Sequence, residues 1–330
     1  MLWFLGIDSS AYTTSLAIVG EKGILMDEER QLLTVPSGST GLRQSQAVFQ
    51  HVQNFPGVLA CLLNRHPELV ASNLAGVAVS TAPRTVPGSY MPVFGVGLSL
   101  AESMATINRI PLKHTSHQEG HLRAGLYSAA GPVAKEFLAV HLSGGTSEVL
   151  HVIRNKAGFK TQILGATSDL HAGQLVDRVG VLLGLPFPAG PALEALAADD
   201  NPTGETYKRL NSSFFLPAAV SNYQFSFSGA ETRARRFLET GGSPQEVAQA
   251  VQGCIARTME KVLRRAIQET GLKEVLFVGG VAANQYLRQR LRYRLEHPAV
   301  KAQLYFAEPR YSSDNAVGVA LLAYDTFHSI

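Results

Sequence analysis

The chain has 330 residues, 45% hydrophobic and 17% charged, which excludes a disordered or fibrous polypeptide and leaves room for two domains or two lobes. A formal charge of +3 permits an RNA partner without requiring one. Cys61 and Cys254 are the only cysteines, too few for a disulfide framework and too far apart for a metal knuckle, so a reducing cytoplasm is the expected location.

Residues 1–7 are apolar but short, lack a basic lead-in and run into Asp8. They read as a buried strand and not as a signal peptide. No apolar run reaches spanning length, so no membrane segment is expected. A strand at 2–8, a polar turn at Ser9, Ser10 and Ala11, a strand at 14–19 and a turn into 24–28 make a three-strand meander. Helical periodicity covers 43–65, and a β-rich run covers 74–80. Residues 81–92 are broken by three prolines and a glycine into a loop. A small-residue helix at 95–109 and a short strand at 112–115 lead to a helix carrying His117 and His121.

The pattern then restarts: a strand at 137–142, a tight turn at 143–146, a strand at 147–153 and a turn into 161–165. Two such meanders can arise by chance, but the matching polar turns favour a duplicated α/β lobe, with lobes at 1–130 and 131–330. A helix at 169–183, a rigid loop at 185–191, an irregular stretch at 205–227 and helices at 228–239 and 244–270 follow. A strand at 275–278 enters Gly279-Gly280, and a helix starts at about Asn284. A strand at 303–306 precedes a closing helix at 315–326, expected to pack back on the first lobe.

His117 and His121 stand at i and i+4, on one helical face, so both imidazoles can reach one metal. Imidazole suits Zn, Fe and Ni alike, and a chance pair on a solvated helix has the same spacing. A zinc-protease motif is disfavoured, because Gln118 holds the place of its Glu. Polar or glycine-rich turns follow apolar strands after Asp8, at 143–146 and at Gly279-Gly280, where backbone N–H groups can cradle phosphate. Asp8 would favour a cation near that phosphate, or cap its turn. Asp177 is a ribose acceptor or a surface ion pair, and Asn284 a base contact or a helix cap.

Taken together, the motifs resemble the catalytic subunit of tRNA threonylcarbamoyladenosine synthase, the TsaD family, over nearly the whole length. They are His117-Gln118-Glu119-Gly120-His121 for HxEGH, Ser143-Gly144-Gly145, Gly173 to Arg178 for GEAFDK, and the proline-rich loop at 185–191. FSFSG at 225–229, Gly279 to Asn284 for GGVxAN, and Asp314-Asn315 complete the set. The resemblance implies a two-lobed actin-like and Hsp70-like ATPase fold with duplicated ribonuclease-H-like lobes. It implies one divalent metal (Fe or Zn, with Mg an alternative) on His117, His121 and Asp314. An ATP- or AMP-type adenylate would lie on Ser143, Gly144, Gly145, Asp177, Gly190 and Asn284, with Asp8, Ser10 and Glu119 as catalytic candidates.

The implied activity is transfer of threonylcarbamoyl from its adenylate to the exocyclic amine of a tRNA adenosine beside the anticodon. A TsaB-like paralogue and a TsaE-like ATPase are the implied protein partners. Three departures stand out. Tyr12-Thr13 replaces the family's acidic pair, Thr146 replaces the histidine after SGG, and Asp169-Leu170 replaces a doubled Asp. They motivate two rival readings: a paralogue that carbamoylates or acylates another acceptor, or a nucleotide-binding regulatory subunit. Arginines at 233–236, 257–265 and 288–294 offer basic helix faces for tRNA, or simply solvated ones.

Overall fold

Apolar residues fill Trp3–Ser9 (β1) and Thr13–Gly20 (β2), and both strands are buried throughout. Strands of that kind need cover on each face. The computed structural model describes every residue except 11, 37, 38, 40, 87, 157, 199–213 and 329–330. Of the sequence expectations, Ala11 in the opening turn and residues 205–213 therefore lie outside the described residues.

β1, β2 and Leu25–Leu32 (β3) are antiparallel, and Leu74–Ala82 (β4) and Leu112–Ser116 (β5) extend the sheet in parallel on the other side of β1. The order is β3-β2-β1-β4-β5. Trp3, Leu5 and Ile7 pack on one face with Phe55, Val58 and Leu62 of Gln44–Asn64 (α1) and Ala101 of Phe94–Asn108 (α2).

The next helix, His117–Ser128 (α3), leads into Glu136–Leu142 (β6), Ser147–Asn155 (β7) and Gly158–Thr167 (β8). Ala172–Leu182 (α4), Gly190–Ala197 (α5), the short strands Ala219–Ser221 (β9) and Gln224–Ser226 (β10), Ser228–Glu239 (α6) and Pro244–Thr270 (α7) follow. Glu274–Val278 (β11), Gln285–Leu295 (α8), Gln303–Phe306 (β12), Pro309–Ser312 (α9) and Val317–Phe327 (α10) close the chain. The second sheet runs β12-β11-β6-β7-β8-β10-β9. Its core, read β8-β7-β6-β11-β12, repeats the first sheet in order and in strand direction.

Strand alternation decides what lies between the sheets. Leu138, Val140 and Leu142 point outward, into the core with α4, α5, α7 and α8. Phe137 and Ala139 point inward and meet Leu122 of α3. Phe4, Ala78 and Val319, with Ala17, Val19 and Ala320, place α10 against the inner face of the first sheet. The result is a two-lobed α/β molecule with α3 and α10 as its middle layer. Although α3 precedes the second meander in sequence, it covers the second sheet.

The stretch expected to be irregular contains β9 and β10, because three-residue strands pairing across a distant edge leave no periodicity to read. Nearby, the helix expected from residue 169 begins at Ala172. Asp169 is instead the anchor for the 226–228 turn, accepting from the hydroxyls of Ser226 and Ser228 and the Phe227 N–H. Burial raises its pKa, but these donors outweigh burial and hold the carboxyl far below its ordinary value. A depressed folded-state pKa contributes stability at neutral pH that is lost on acidification. Asp169→Asn should therefore melt lower at neutral pH and lose less stability than wild type as pH falls. Equal acid sensitivity in a two-variant melting series would refute the anchor.

Candidate metal and nucleotide site

The C-terminal ends of β1 and β6, the N-terminus of α3 and the loop before α10 converge on one point. α3 begins there because Ser116-His117-Gln118-Glu119 is a capping box: the Ser116 hydroxyl accepts the Glu119 N–H, and Glu119 Oε2 accepts the Ser116 N–H. The Thr85 and Thr115 hydroxyls also donate to Glu119 Oε2, each at 3.0 Å. Oε2 of Glu119, one of the catalytic candidates, thus fixes the start of the helix. The S-x-x-E pattern that marks this role is local and legible.

With the helix start fixed, His117 Nε2 and His121 Nε2 lie 3.1 Å apart. Asp314 Oδ1 lies 3.5 Å from the first and 3.3 Å from the second. Bonds of about 2.0–2.1 Å to one tetrahedral or octahedral ion require donor–donor edges of about 2.8–3.4 Å. The three donors fit a divalent cation.

Their surroundings fit as well. His117 Nδ1 donates to Asp8 Oδ1 at 3.1 Å, which leaves Nε2 facing the triangle. Ser10 donates to Asp314 Oδ2 at 2.9 Å, and Arg30 donates to the Asp314 carbonyl. His51, buried in α1, donates from Nε2 to the Ser10 carbonyl and accepts from Thr14 at Nδ1, each at 2.8 Å. A carbonyl can only accept, so this tautomer is forced.

His141 completes the surroundings. It is buried, neither ring nitrogen has a partner among the described residues, and its ring centre lies 4.6 Å from that of His121. An unpaired buried imidazole is costly, and this one borders the donor triangle. Strand alternation explains why it points there: it continues the inward face of Phe137 and Ala139.

The charges are tightly coupled. Burial opposes charge on His117, yet Asp8 and Asp314 outweigh it and push its pKa up to about 10. Burial works the other way on Asp314, but His117 and His121 hold its carboxyl well below the usual range. Burial and the neighbouring His117 lower the His121 pKa, and burial lowers that of His141 further. A divalent cation would take the place of the His117 proton.

Of the adenylate candidates, Ser143, Gly144 and Gly145 form a turn in which Ser143 Oγ accepts the Gly145 and Thr146 N–H groups. A Cβ on Gly144 or Gly145 would meet open space, whereas one on Gly173 would strike Gly144 N at 2.6 Å. Gly173 is therefore what lets α4 abut the turn. Asp177 is half-buried, and its Oδ1 accepts from Ala189 N at 2.8 Å, beside Gly190 at the start of α5. Asn284 does cap α8, accepting from Leu287 N, while its amide donates to Gln252.

The profile of the tRNA N6-adenosine threonylcarbamoyltransferase family, TsaD, matches residues 35–321. A tRNA N6-adenosine threonylcarbamoyltransferase of Syntrophotalea carbinolica is 31% identical, covering 97% of this chain and 91% of that protein. The chain belongs to the TsaD family.

Among solved structures, component A of Acidaminococcus fermentans (R)-2-hydroxyglutaryl-CoA dehydratase superposes with a TM-score of 0.57 at 17% identity, covering 99% of both chains. Full-length HypF gives 0.60 at 12% identity, over 98% of this chain and 55% of that one. A ROK family glucokinase from Streptomyces griseus, in complex with glucose and AMPPNP, gives 0.52 at 12% identity, over 97% of this chain and 99% of that one. These likenesses show the two-lobed ATPase fold.

The departures from TsaD motifs have definite surroundings. Tyr12, in place of an acid, packs its ring 5.3 Å from that of Phe187 in the proline-rich loop. Burial, then the charge of Asp177, raises its pKa. The basic helix faces are largely committed within the protein. Glu260 pairs with Arg264 and Arg294 and lies 4.0 Å from Arg290, while Glu231 pairs with Arg178 and Arg235. No helix among the described residues is long and apolar enough to cross a membrane.

Proposed function

We propose that this TsaD-family chain transfers the threonylcarbamoyl group from threonylcarbamoyl-adenylate to the exocyclic amine of a tRNA adenosine beside the anticodon. The observation that carries this reading is the His117, His121 and Asp314 triangle, set beside the Ser143 turn. A divalent ion held by those three residues would supply Lewis acidity toward the carbamoyl and phosphate oxygens. Two imidazoles and one carboxylate suit Fe or Zn better than Mg, which prefers oxygen and water ligands.

Asp8 orients His117, and Ser10, itself held by His51, orients Asp314. These are positioning roles, and Glu119 supports them by holding the helix start. With the Gly145 and Thr146 N–H groups holding Ser143 Oγ, the Gly144 N–H at the head of the turn receives the phosphate, which stabilises charge on departing AMP. Asp177 keeps Oδ2 for a ribose hydroxyl, while the Asn284 side chain, engaged with Leu287 N and Gln252, fixes the start of α8 after the Gly279-Gly280 turn. The glucokinase neighbour holds an adenine nucleotide analogue, AMPPNP, which supports an adenylate in the cleft.

Replacing Asp8 by Asn preserves shape and removes the charge that orients His117. Affinity for Zn or Fe should fall about 10–100-fold, as for other partners of ligating histidines. Calorimetric titration of the stripped protein reads this directly, and an unchanged affinity would separate Asp8 from the metal.

A second reading keeps the metal and adenylate but changes the acceptor, because Tyr12 occupies the position of a family acid and packs on Phe187. Reconstitution decides between them. Metal-loaded protein is mixed with threonylcarbamoyl-adenylate, unmodified tRNA and TsaB-like and TsaE-like subunits, and the nucleosides are read by mass spectrometry. Threonylcarbamoyladenosine supports the first reading. Its absence, from protein that binds metal and adenylate, favours another acceptor.

A further inference from the structure

Arg84 lies on the loop between β4 and α2, which reads in the sequence as a proline-broken loop departing from the TsaD pattern. Its backbone is nonetheless fastened to the helix start that carries His117. Pro83 O accepts the Gln118 N–H at 3.1 Å, Thr85 bonds Ser116 and Glu119, and Arg84 N donates to Ser89 Oγ.

The side chain crosses from the first lobe to the second sheet. There Nε lies 3.0 Å from Oε1 of Glu148, a buried residue on β7. Glu148 Oε2 accepts from Gln118 Nε2 at 2.8 Å. The Arg84–Glu148 contact is an ion pair without hydrogen-bond alignment, so Nε remains without a formed hydrogen bond. The two terminal nitrogens have no partner among the described residues, and the side chain is 29% exposed.

Two neighbours locate the guanidinium. Glu148 pairs across the strands with His141, beside the metal triangle. Its chain neighbour Ser147 accepts from Ala172 N at the start of α4, where His171 precedes the helix beside the phosphate turn. The guanidinium charge acts on both histidines. His171 Nδ1 is buried and unpartnered. A cation therefore stands between the metal donors and the phosphate turn. A buried carboxylate steadies its stem, its fork is unspent, and an unpaired imidazole lies close by. A planar fork of this kind matches a carboxylate, and charge-assisted pairing makes the match strong.

We propose that Arg84 binds the carboxylate of the amino acid borne by the transferred carbamoyl group. The proposal rests on the transferase reading, in which the substrate carries two anions. The phosphate has the backbone turn, so the carboxylate is the anion still needing a partner. Arg84 would then be the residue by which the cleft distinguishes a carbamoylated amino acid from a bare carbamoyl group.

The test is calorimetric binding to wild type, Arg84→Met and Arg84→Lys. Three ligands are used: AMP, a non-hydrolysable threonylcarbamoyl-adenylate analogue, and the same analogue with its carboxylate converted to an amide. Arg84→Met should bind the carboxylate analogue about 10–100-fold more weakly, the scale of a lost charge-assisted hydrogen bond. AMP and the amide should be unaffected. Arg84→Lys retains the ion pair with Glu148, so it controls for folding. With an unchanged melting temperature it should show a smaller loss on the carboxylate ligand alone, and it decides the matter if the Met variant misfolds.

Equal losses on AMP would assign Arg84 to the phosphate and overturn the proposal. No loss on any ligand would leave it as a tie between the lobes, with the same consequence. Wild-type protein that binds AMP but neither analogue would instead overturn the transferase reading, and the proposal with it.

Discussion

His117→Ala should lower threonylcarbamoyladenosine formation by about three orders of magnitude, the scale seen when a transition-state stabiliser is removed. It should also leave the purified protein with little bound metal. The change removes one of three converging donors and strips Asp8 and Asp314 of the imidazole between them. Asp8 is completely buried, so its carboxylate loses its only charged hydrogen-bond partner among the described residues. A buried carboxylate in that position is destabilising, and a lower melting temperature should accompany the loss of activity. Metal analysis separates the two effects, because wild type and variant can be compared well below either transition. A variant that keeps both stoichiometric metal and full activity would show that the triangle is not the reaction centre.

The second large effect is expected far from any polar group. Gly318→Ala places a methyl 1.8 Å from the carbonyl oxygen of Gly120 and 2.7 Å from Ala124 N. Both obstacles are backbone, so no side chain can swing aside. The two middle-layer helices must move apart. Overpacking of this kind costs about 3 kcal/mol, at the upper end for a core, and a melting temperature lower by several degrees follows.

The same displacement reaches the site. Gly120 lies between His117 and His121 on α3, and Asp314 lies four residues before Gly318. Metal affinity should fall with stability. Gly57→Ala is the contrasting variant: it lies within α1, a Cβ there meets nothing within 4 Å, and it should add about 0.5–1 kcal/mol. Equal stabilities for the two variants would contradict the close approach of α3 and α10.

Local features of the chain were legible without coordinates. The buried strands β1 and β2, the His117 and His121 spacing and the glycine turns are each set within a few residues by alternation and helical pitch. Asp314, 193 residues beyond His121, was reached only through motif resemblance, since nothing local marks an acid as a ligand. The capping role of Glu119 was equally local, in Ser116 to Glu119, yet a carboxylate next to histidines reads first as chemistry.

Tertiary structure alone decided the rest. It laid α3 on the second sheet, turned His141 toward the triangle, ran His51 to the back of Ser10 and carried Arg84 across to Glu148. The physical reason is the same in each case. Sequence periodicity reports which face a residue occupies on its own element, whereas the neighbour on that face depends on how two lobes, separated by more than a hundred residues, close around α3 and α10.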